Sequence, residues 1–281
     1  MKKRILCALL ALIMLVGLVP LSASAAGLSV SEDAITVLKQ LQIYSTECKQ
    51  CGTEWRNGYG TICTRRGEHN AHTDTFNEGD ANKALRAKLK EIDAAVNASG
   101  LSLTQAQHDA LVVFSYDVGT SWLSGSGVLK SAVANKLTGN AFLNAIGQSA
   151  AYGSDTTDKI TGSARRMIEA NMYLNGNYSN IAPSNYGYVT FNANGGNMAE
   201  GTNGTYTQYF NTALWAEPAV TPTKKDNIFL GWYDGDVWVP YLSPYQVGRT
   251  LTAKWQGTGD GVAAKYDINS SEASSLNVYA D

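Results

Sequence analysis

Charge is scarce in this chain. Of 281 residues only 16% are Asp, Glu, Lys or Arg, and 22 basic residues stand against 24 acidic ones. That balance excludes the basic face that binding to a nucleic-acid backbone requires. Three histidines and four cysteines are too few for a dense disulfide framework or an array of metal sites. Six prolines exclude an extended polyproline chain. Long apolar runs are almost absent. The one that exists reaches from Ile5 to about Leu21, behind Met1-Lys2-Lys3-Arg4 and ahead of Ala23-Ser24-Ala25. A basic start, a short apolar core and a small-x-small site form the pattern of a secretory leader, and the core is short for a membrane span. Cys7 lies inside that run, not at its end, which argues against a lipid anchor. Residues 1–25 are therefore expected to be a signal peptide, and the protein to be secreted or associated with the cell wall.

What is present is a change of period. Up to about residue 176 the apolar residues recur at helical spacing. Ser31 is placed to cap a helix carrying Ile35, Leu38 and Leu41 on one face, with Gln42 at the edge of that stripe. Asp80 is placed to cap a helix with Leu85, Leu89, Ile92 and Val96. Thr104 and Gln107 form a capping box ahead of Ala110, Leu111, Phe114 and Val118. A last helix runs through Ala164, Met167, Ile168 and Met172, with Gly176 as its stop. The stretch Glu47–Gly79 reads as turns and short strands. Residues 177–186 read as a linker. Beyond it the period becomes two, as in Val189, Phe191 and Ala193 or Leu251, Ala253 and Trp255, and Asn194-Gly195-Gly196 signals a turn. The chain from 256 to 281 loses periodicity and reads as a flexible tail.

The segment Trp55-Arg56-Asn57-Gly58-Tyr59-Gly60-Thr61 resembles the W-T-x-G-Y-G-T turn of phage-type lysozymes. Three further fragments follow in that family's order. Leu103-Thr104-Gln105-Ala106-Gln107-His108-Asp109-Ala110-Leu111 is similar to L-T-x-x-Q-x-D-A-L. Phe114 through Gly119, with Asp117, is similar to F-x-x-N-x-G. Arg165-Arg166 with Glu169 is similar to R-R-x-x-E. The resemblance covers residues 30–176 and implies a mainly helical lysozyme-like domain over 27–176. It also implies a muramidase, a glycoside hydrolase acting on peptidoglycan glycan strands. The family's catalytic glutamate, aspartate (or cysteine) and threonine fall by spacing on Gln42, Cys51 and Asn57, with eight and five residues between them. An amide at Gln42 has no proton to give reversibly, and glycosidic cleavage needs an acid for the leaving oxygen. Ile43 also stands where the family has glycine. Impaired hydrolysis is the expectation. The alternatives are an active muramidase with an altered acid, for which Glu54 is a weak substitute, and a surface adhesion protein that keeps the fold as scaffold. Substrate contacts are expected from Trp55, Tyr59, Asp117 and Arg165, one of the two arginines being a solvated helix charge.

Cys48-Lys49-Gln50-Cys51 resembles half of a zinc knuckle that Cys63, His69 and His72 could complete, while secretion favours a disulfide or free thiols. No metal or other cofactor is expected. Residues 187–255 resemble a Listeria–Bacteroides repeat, the B-repeat of internalin-type surface proteins. The resemblance rests on Val189–Gly196, Phe229-Leu230-Gly231-Trp232-Tyr233 and Leu251-Thr252-Ala253-Lys254-Trp255. It implies a small β-grasp-like sheet and a possible cell-surface partner. A sugar-stacking platform there would use Tyr206, Tyr209 or Trp238 as exposed aromatics. The whole chain is thus expected to be α+β.

Overall fold

The structure is a computed structural model, and it describes residues 27–51, 54–62, 77–149, 161–199, 201, 203–258, 264–265 and 277–278. The expected signal peptide, Cys63, His69, His72 and most of the expected tail lie outside the described residues. No helix among the described residues is long and apolar enough to cross a membrane.

Helix α1 (Glu32–Leu41) starts where Ser31 Oγ accepts the Ala34 N–H at 3.2 Å. Its apolar stripe, Ile35, Leu38 and Leu41 among it, is buried. An antiparallel sheet follows, made of β1 (Ser45–Cys51), β2 (Glu54–Gly58) and β3 (Thr61–Ile62). Helix α2 (Glu78–Ala98) is capped by Asn77, not by Asp80 as expected. Asn77 Oδ1 accepts the Asp80 N–H at 2.9 Å, so Asp80 lies in the first turn, where negative charge suits the helix end. Helix α3 (Gln105–Val118) opens on the Thr104–Gln107 capping box. Two helices with no counterpart in the sequence reading come next, α4 (Val128–Ala134) and α5 (Gly139–Gly147). Helix α6 (Gly162–Asn175) ends at Gly176, whose φ of 62° is left-handed and suits glycine. Leu38, Leu89, Leu111, Phe114, Phe142 and Ile168 belong to one continuous core.

The second half is a five-stranded sheet in the order β5-β4-β8-β6-β7. Its members are β4 (Tyr186–Asn192), β5 (Thr205–Asn211), β6 (Asn227–Asp234), β7 (Val237–Trp238) and β8 (Thr250–Gly257). β4 and β8 run parallel at the centre and the other pairs are antiparallel. Val189, Phe191, Phe210, Trp232, Leu251 and Ala253 fill its core. The indole N–H groups of Trp232 and Trp255 donate to the carbonyls of Val220 and Ala193, at 3.1 and 2.9 Å. Tyr206 and Tyr209, expected to be exposed, are buried. The two halves together make the α+β class.

Among the described residues of 187–257 there is no α-helix, and α5 supplies one from the other half. Strand β5 is a sheet edge, and an uncovered edge exposes unpaired backbone groups. Here Asn144 Oδ1 accepts the Tyr209 N–H at 3.0 Å and Asn140 Oδ1 accepts the Asn211 N–H at 2.7 Å. Gln148 Nε2 donates to the Thr207 carbonyl at 2.7 Å. A Cβ on Gly147 would collide with the Tyr209 ring, so glycine permits the close approach. Residues 177–186 are tethered as well, since the Tyr178 hydroxyl donates to Asp109 Oδ2 at 2.7 Å.

Asp109 is the hub of a buried polar network. It accepts from the Ser31 N–H and hydroxyl, at 3.0 and 2.6 Å, and from Gln105 Nε2 at 2.8 Å. Burial alone would raise its carboxyl. The His108 imidazole facing it at 3.9 Å, with the Ser31 and Tyr178 hydrogen bonds, outweighs burial and holds it at about 2. Burial moves neighbouring Asp93 the other way, upward. A depressed carboxyl stabilises the fold above its ordinary value near 3.8 and loses that contribution as pH falls toward 2. Asp109→Asn is therefore expected to cost roughly 2 kcal/mol at neutral pH. The gap from wild type should close as pH drops through that window. Urea unfolding of both proteins between pH 7 and pH 2.5 checks this; a gap independent of pH would contradict it.

Candidate active site

A cleft of about 610 Å³ opens between the small sheet and helices α2 and α3. Its walls are Glu54, Arg56, Thr61 and Ile62 from β2 and β3, Ala84, Ala87, Lys88 and Glu91 from α2, and Tyr116, Asp117 and Gly119 from the end of α3. The turn after β2 is what brings the sheet to this position. Gly58 and Gly60 have φ of 56° and 86°, a region that favours glycine. The Gly60 N–H donates to the Asn57 carbonyl at 3.0 Å, as does the Thr61 hydroxyl at 3.2 Å.

Each carboxylate of the cleft faces a cation. Arg56 Nη2 lies 2.7 Å from Glu54 Oε2, and Arg56 Nη1 donates to the Gly60 carbonyl at 2.9 Å. Lys88 Nζ lies 3.0 Å from Glu91 Oε2. Arg166 Nη2 lies 2.6 Å from Asp117 Oδ2. A general acid for glycoside cleavage needs a carboxyl in apolar surroundings that favour its protonated form. None of these three has that setting.

Behind Asp117 lies a buried ionic cluster. Arg166 Nε lies 2.7 Å from Glu169 Oε2, and Arg165 Nε lies 3.2 Å from Glu169 Oε1 and 3.5 Å from Asp117 Oδ2. The Arg166 guanidinium also stacks over the Phe114 ring at 4.7 Å. Both arginines are fully buried, so neither is a solvated helix charge. Glu169 comes from α6 itself, but Asp117 and Phe114 arrive from α3, far away in sequence, which a reading of α6 by itself does not reveal.

Of the expected site residues, Glu54 and Asp117 line the cleft. Gln42 does not. It is 2% exposed, at the C-cap of α1, with its N–H donating to the Leu38 carbonyl at 3.1 Å. Asn57 is buried in the turn that it shapes. Tyr59, expected as a sugar contact, is only 6% exposed and belongs to the helical core. Its hydroxyl donates to Glu78 Oε1 at 3.1 Å, its ring packs on Tyr44 at 5.3 Å, and its carbonyl accepts the Tyr116 hydroxyl at 2.7 Å. Arg165 is not a wall of the cleft but faces, at 3.5 Å, Asp117, which is. Trp55 is half-buried on β2, opposite Gln50, and is not a wall of the cleft. Cys51 lies at the end of β1, opposite Glu54. Cys48 is disulfide-bonded, and a disulfide sulfur is not a thiolate ligand for zinc. Arg56, Thr61 and Tyr116 are cleft residues that the sequence reading did not assign. Burial pushes the Tyr116 phenol well up, so it stays a neutral hydrogen-bond donor.

Residues 40–166 match the family model described as phage lysozyme. Among solved structures the chain is similar to the endolysin from Escherichia coli O157:H7 phage FAHEc1, at 22% identity over 54% of this chain and 97% of that one, with a TM-score of 0.45. It is also similar to the muramidase domain of SpmX from Asticaccaulis excentricus, at 23% identity over 52% of this chain and 98% of that one, with a TM-score of 0.41. No curated protein matches the chain.

The ionic cluster yields a direct expectation. Arg166→Ala strips a partner from Glu169 and from Asp117 and leaves buried charge uncompensated, at a cost of about 3–5 kcal/mol. Urea unfolding measures it. A loss below about 1 kcal/mol would mean that the cluster relaxes or takes in water.

Proposed function

We propose that this protein is a secreted, lysozyme-fold protein that engages the glycan strands of peptidoglycan and hydrolyses them poorly. The observation that carries the reading is an open cleft whose three carboxylates each face a cation, while the family's acid position, by spacing, holds an amide that is not one of its walls. The cleft, about 610 Å³, is within the size range of ligand sites and lies inside the segment that matches the phage lysozyme model. Gln42 sits, by spacing, where that family's acid would be, and it is buried at the end of α1. Losing a general acid removes transition-state chemistry and leaves ground-state contacts in place.

In this reading Arg56, Thr61, Tyr116 and Asp117 hold the sugar, and Glu54 and Glu91 border the strand. Arg165 and Arg166 keep Asp117 in position. Residues 187–255 act as the surface-interaction module that their B-repeat resemblance suggests, with 256–281 as tail and 1–25 as the leader that exports the chain. The sheet's docking on α5 supports a fixed spacing between that module and the cleft.

Rates of reducing-end release from purified peptidoglycan test the proposal. Gln42→Glu places a buried carboxyl at the end of α1, where burial favours the protonated form. The wild type is expected to turn over about 10²–10⁴ times more slowly than Gln42→Glu. Equal and lysozyme-like rates for the two would transfer the acid role to a cleft carboxylate. Glu54→Gln would then be the variant that abolishes turnover.

A further inference from the structure

The junction between the two halves carries a second cavity, on elements that the cleft does not use. It measures about 450 Å³ and is walled by α5, the last turns of α6, the start of β4 and the turn after β5. Its polar lining consists of four side-chain amides, Asn171, Asn175, Asn185 and Asn211, with the Thr138 hydroxyl and Tyr186. No charged side chain lines it. We propose that this seam pocket is a binding site for a neutral pyranose chain bearing acetamido groups, and that the exposed Trp215 beside it is its stacking platform. The inference rests on the glycan-strand reading above and adds a site remote from the cleft.

Three features select this ligand class. The first is chemistry. A side-chain amide both donates and accepts, as a sugar hydroxyl or acetamido group does, and a lining of amides without charge discriminates against phosphates, carboxylates and metal ions.

The second is order with spare capacity. Asn175 Nδ2 donates to Asn171 Oδ1 at 2.8 Å and to the Tyr186 hydroxyl at 3.2 Å. Asn185 Nδ2 donates to Asn211 Oδ1 at 2.9 Å. These bonds fix the amides, as a site requires. Asn171 Nδ2, Asn175 Oδ1 and Asn185 Oδ1 have no hydrogen-bond partner among the described residues, and the Thr138 hydroxyl makes no cap bond. Donor and acceptor capacity is therefore left at the pocket, open to solvent at the exposed Asn175 and Asn185.

The third is the rim. Trp215 is 84% exposed, far beyond what a core aromatic shows, and Tyr241 braces it edge-on at 5.1 Å and 87°. Leu214, one residue earlier, lines the seam pocket, while Trp215 lines a neighbouring hollow of about 230 Å³ with Asn140, Gln208 and Glu217. An exposed indole braced by Tyr241 beside two hollows suits the apolar face of a pyranose ring.

The test is a titration of the full chain with N-acetylchitotetraose, followed by side-chain amide and backbone NMR. Lys88→Trp, an exposed wall of the cleft, serves to fill the cleft. The expected result is saturable shifts at Asn171, Asn175 and Asn185 in wild type and in Lys88→Trp alike. Trp215→Ala, whose exposure leaves folding untouched, and Asn175→Leu should each weaken the seam response by tenfold or more. An oligogalacturonate of equal length, which is charged, should give none. A seam that stays silent at millimolar ligand, that loses its response when the cleft is filled, that ignores Trp215→Ala, or that answers oligogalacturonate equally overturns the inference. The two readings fail separately. Shifts at Tyr116 and Gly119 without seam shifts sink only the seam site, and seam shifts without cleft shifts sink only the cleft reading.

Discussion

Arg166 holds the helical half and its cleft in one arrangement. Its guanidinium meets Asp117 at 2.6 Å, meets Glu169 at 2.7 Å and lies over the Phe114 ring. Two of those partners belong to α3 and one to α6, so the bonds fix how these helices cross. With Arg165 the cluster contains two positive and two negative groups, and it is neutral as a unit. Burying it still carries a desolvation cost that an apolar packing would avoid. What the cluster supplies in return is placement. Asp117 reaches the cleft from beneath with its direction already set, and no loop rearrangement is needed to present it.

A second constraint joins the halves. Strand β5 is an edge, and its outward backbone groups recur at Thr207, Tyr209 and Asn211. Helix α5 answers with Gln148, Asn144 and Asn140, one amide per turn and in the reverse direction. The match is metric. Four helical residues advance about 6 Å, and two strand residues advance about 6.8 Å. Three successive bonds therefore stay in step. The edge is covered by side chains and not by another strand, so the sheet is closed to further strand addition on that side. Packing of Tyr209 against Gly147 in the same interface explains why a tyrosine of the sheet belongs to the core of the helical half.

This arrangement also explains what could be read from the sequence. The Ser31, Thr104–Gln107 and Gly176 signals are local, since cap and capped group lie within a few residues, and all three stand in the structure. The alternation in β4 and β8 is equally local. Helix α5 escaped notice because Asn140, Asn144 and Gln148 resemble loop residues until a strand edge is there to receive them. Tyr206 and Tyr209 looked exposed for the same reason. At the site, Glu54 is legible from its place just before the Trp55–Thr61 turn, and Asp117 from the resemblance of Phe114–Gly119 to the family fragment. Tyr59 was misread because its surroundings, Tyr44, Glu78 and Tyr116, come from three separate segments. Both arginines of α6 hide their burial, since their anionic partner Asp117 lies across the helix interface.

Gln42 brings these threads together. It ends α1, where the helix dipole is negative and burial is nearly complete, two conditions that disfavour an ionised carboxylate. Such a place suits an acid that must keep its proton, and it is costly for the fold whenever that proton leaves. An amide of the same shape carries no charge to desolvate at any pH. In the proposed reading an amide at this place forgoes acid chemistry and avoids that burial cost in one step, a trade between stability and activity. Tyr116 and Asp117, two walls of the cleft, are held by Tyr59 and Arg166.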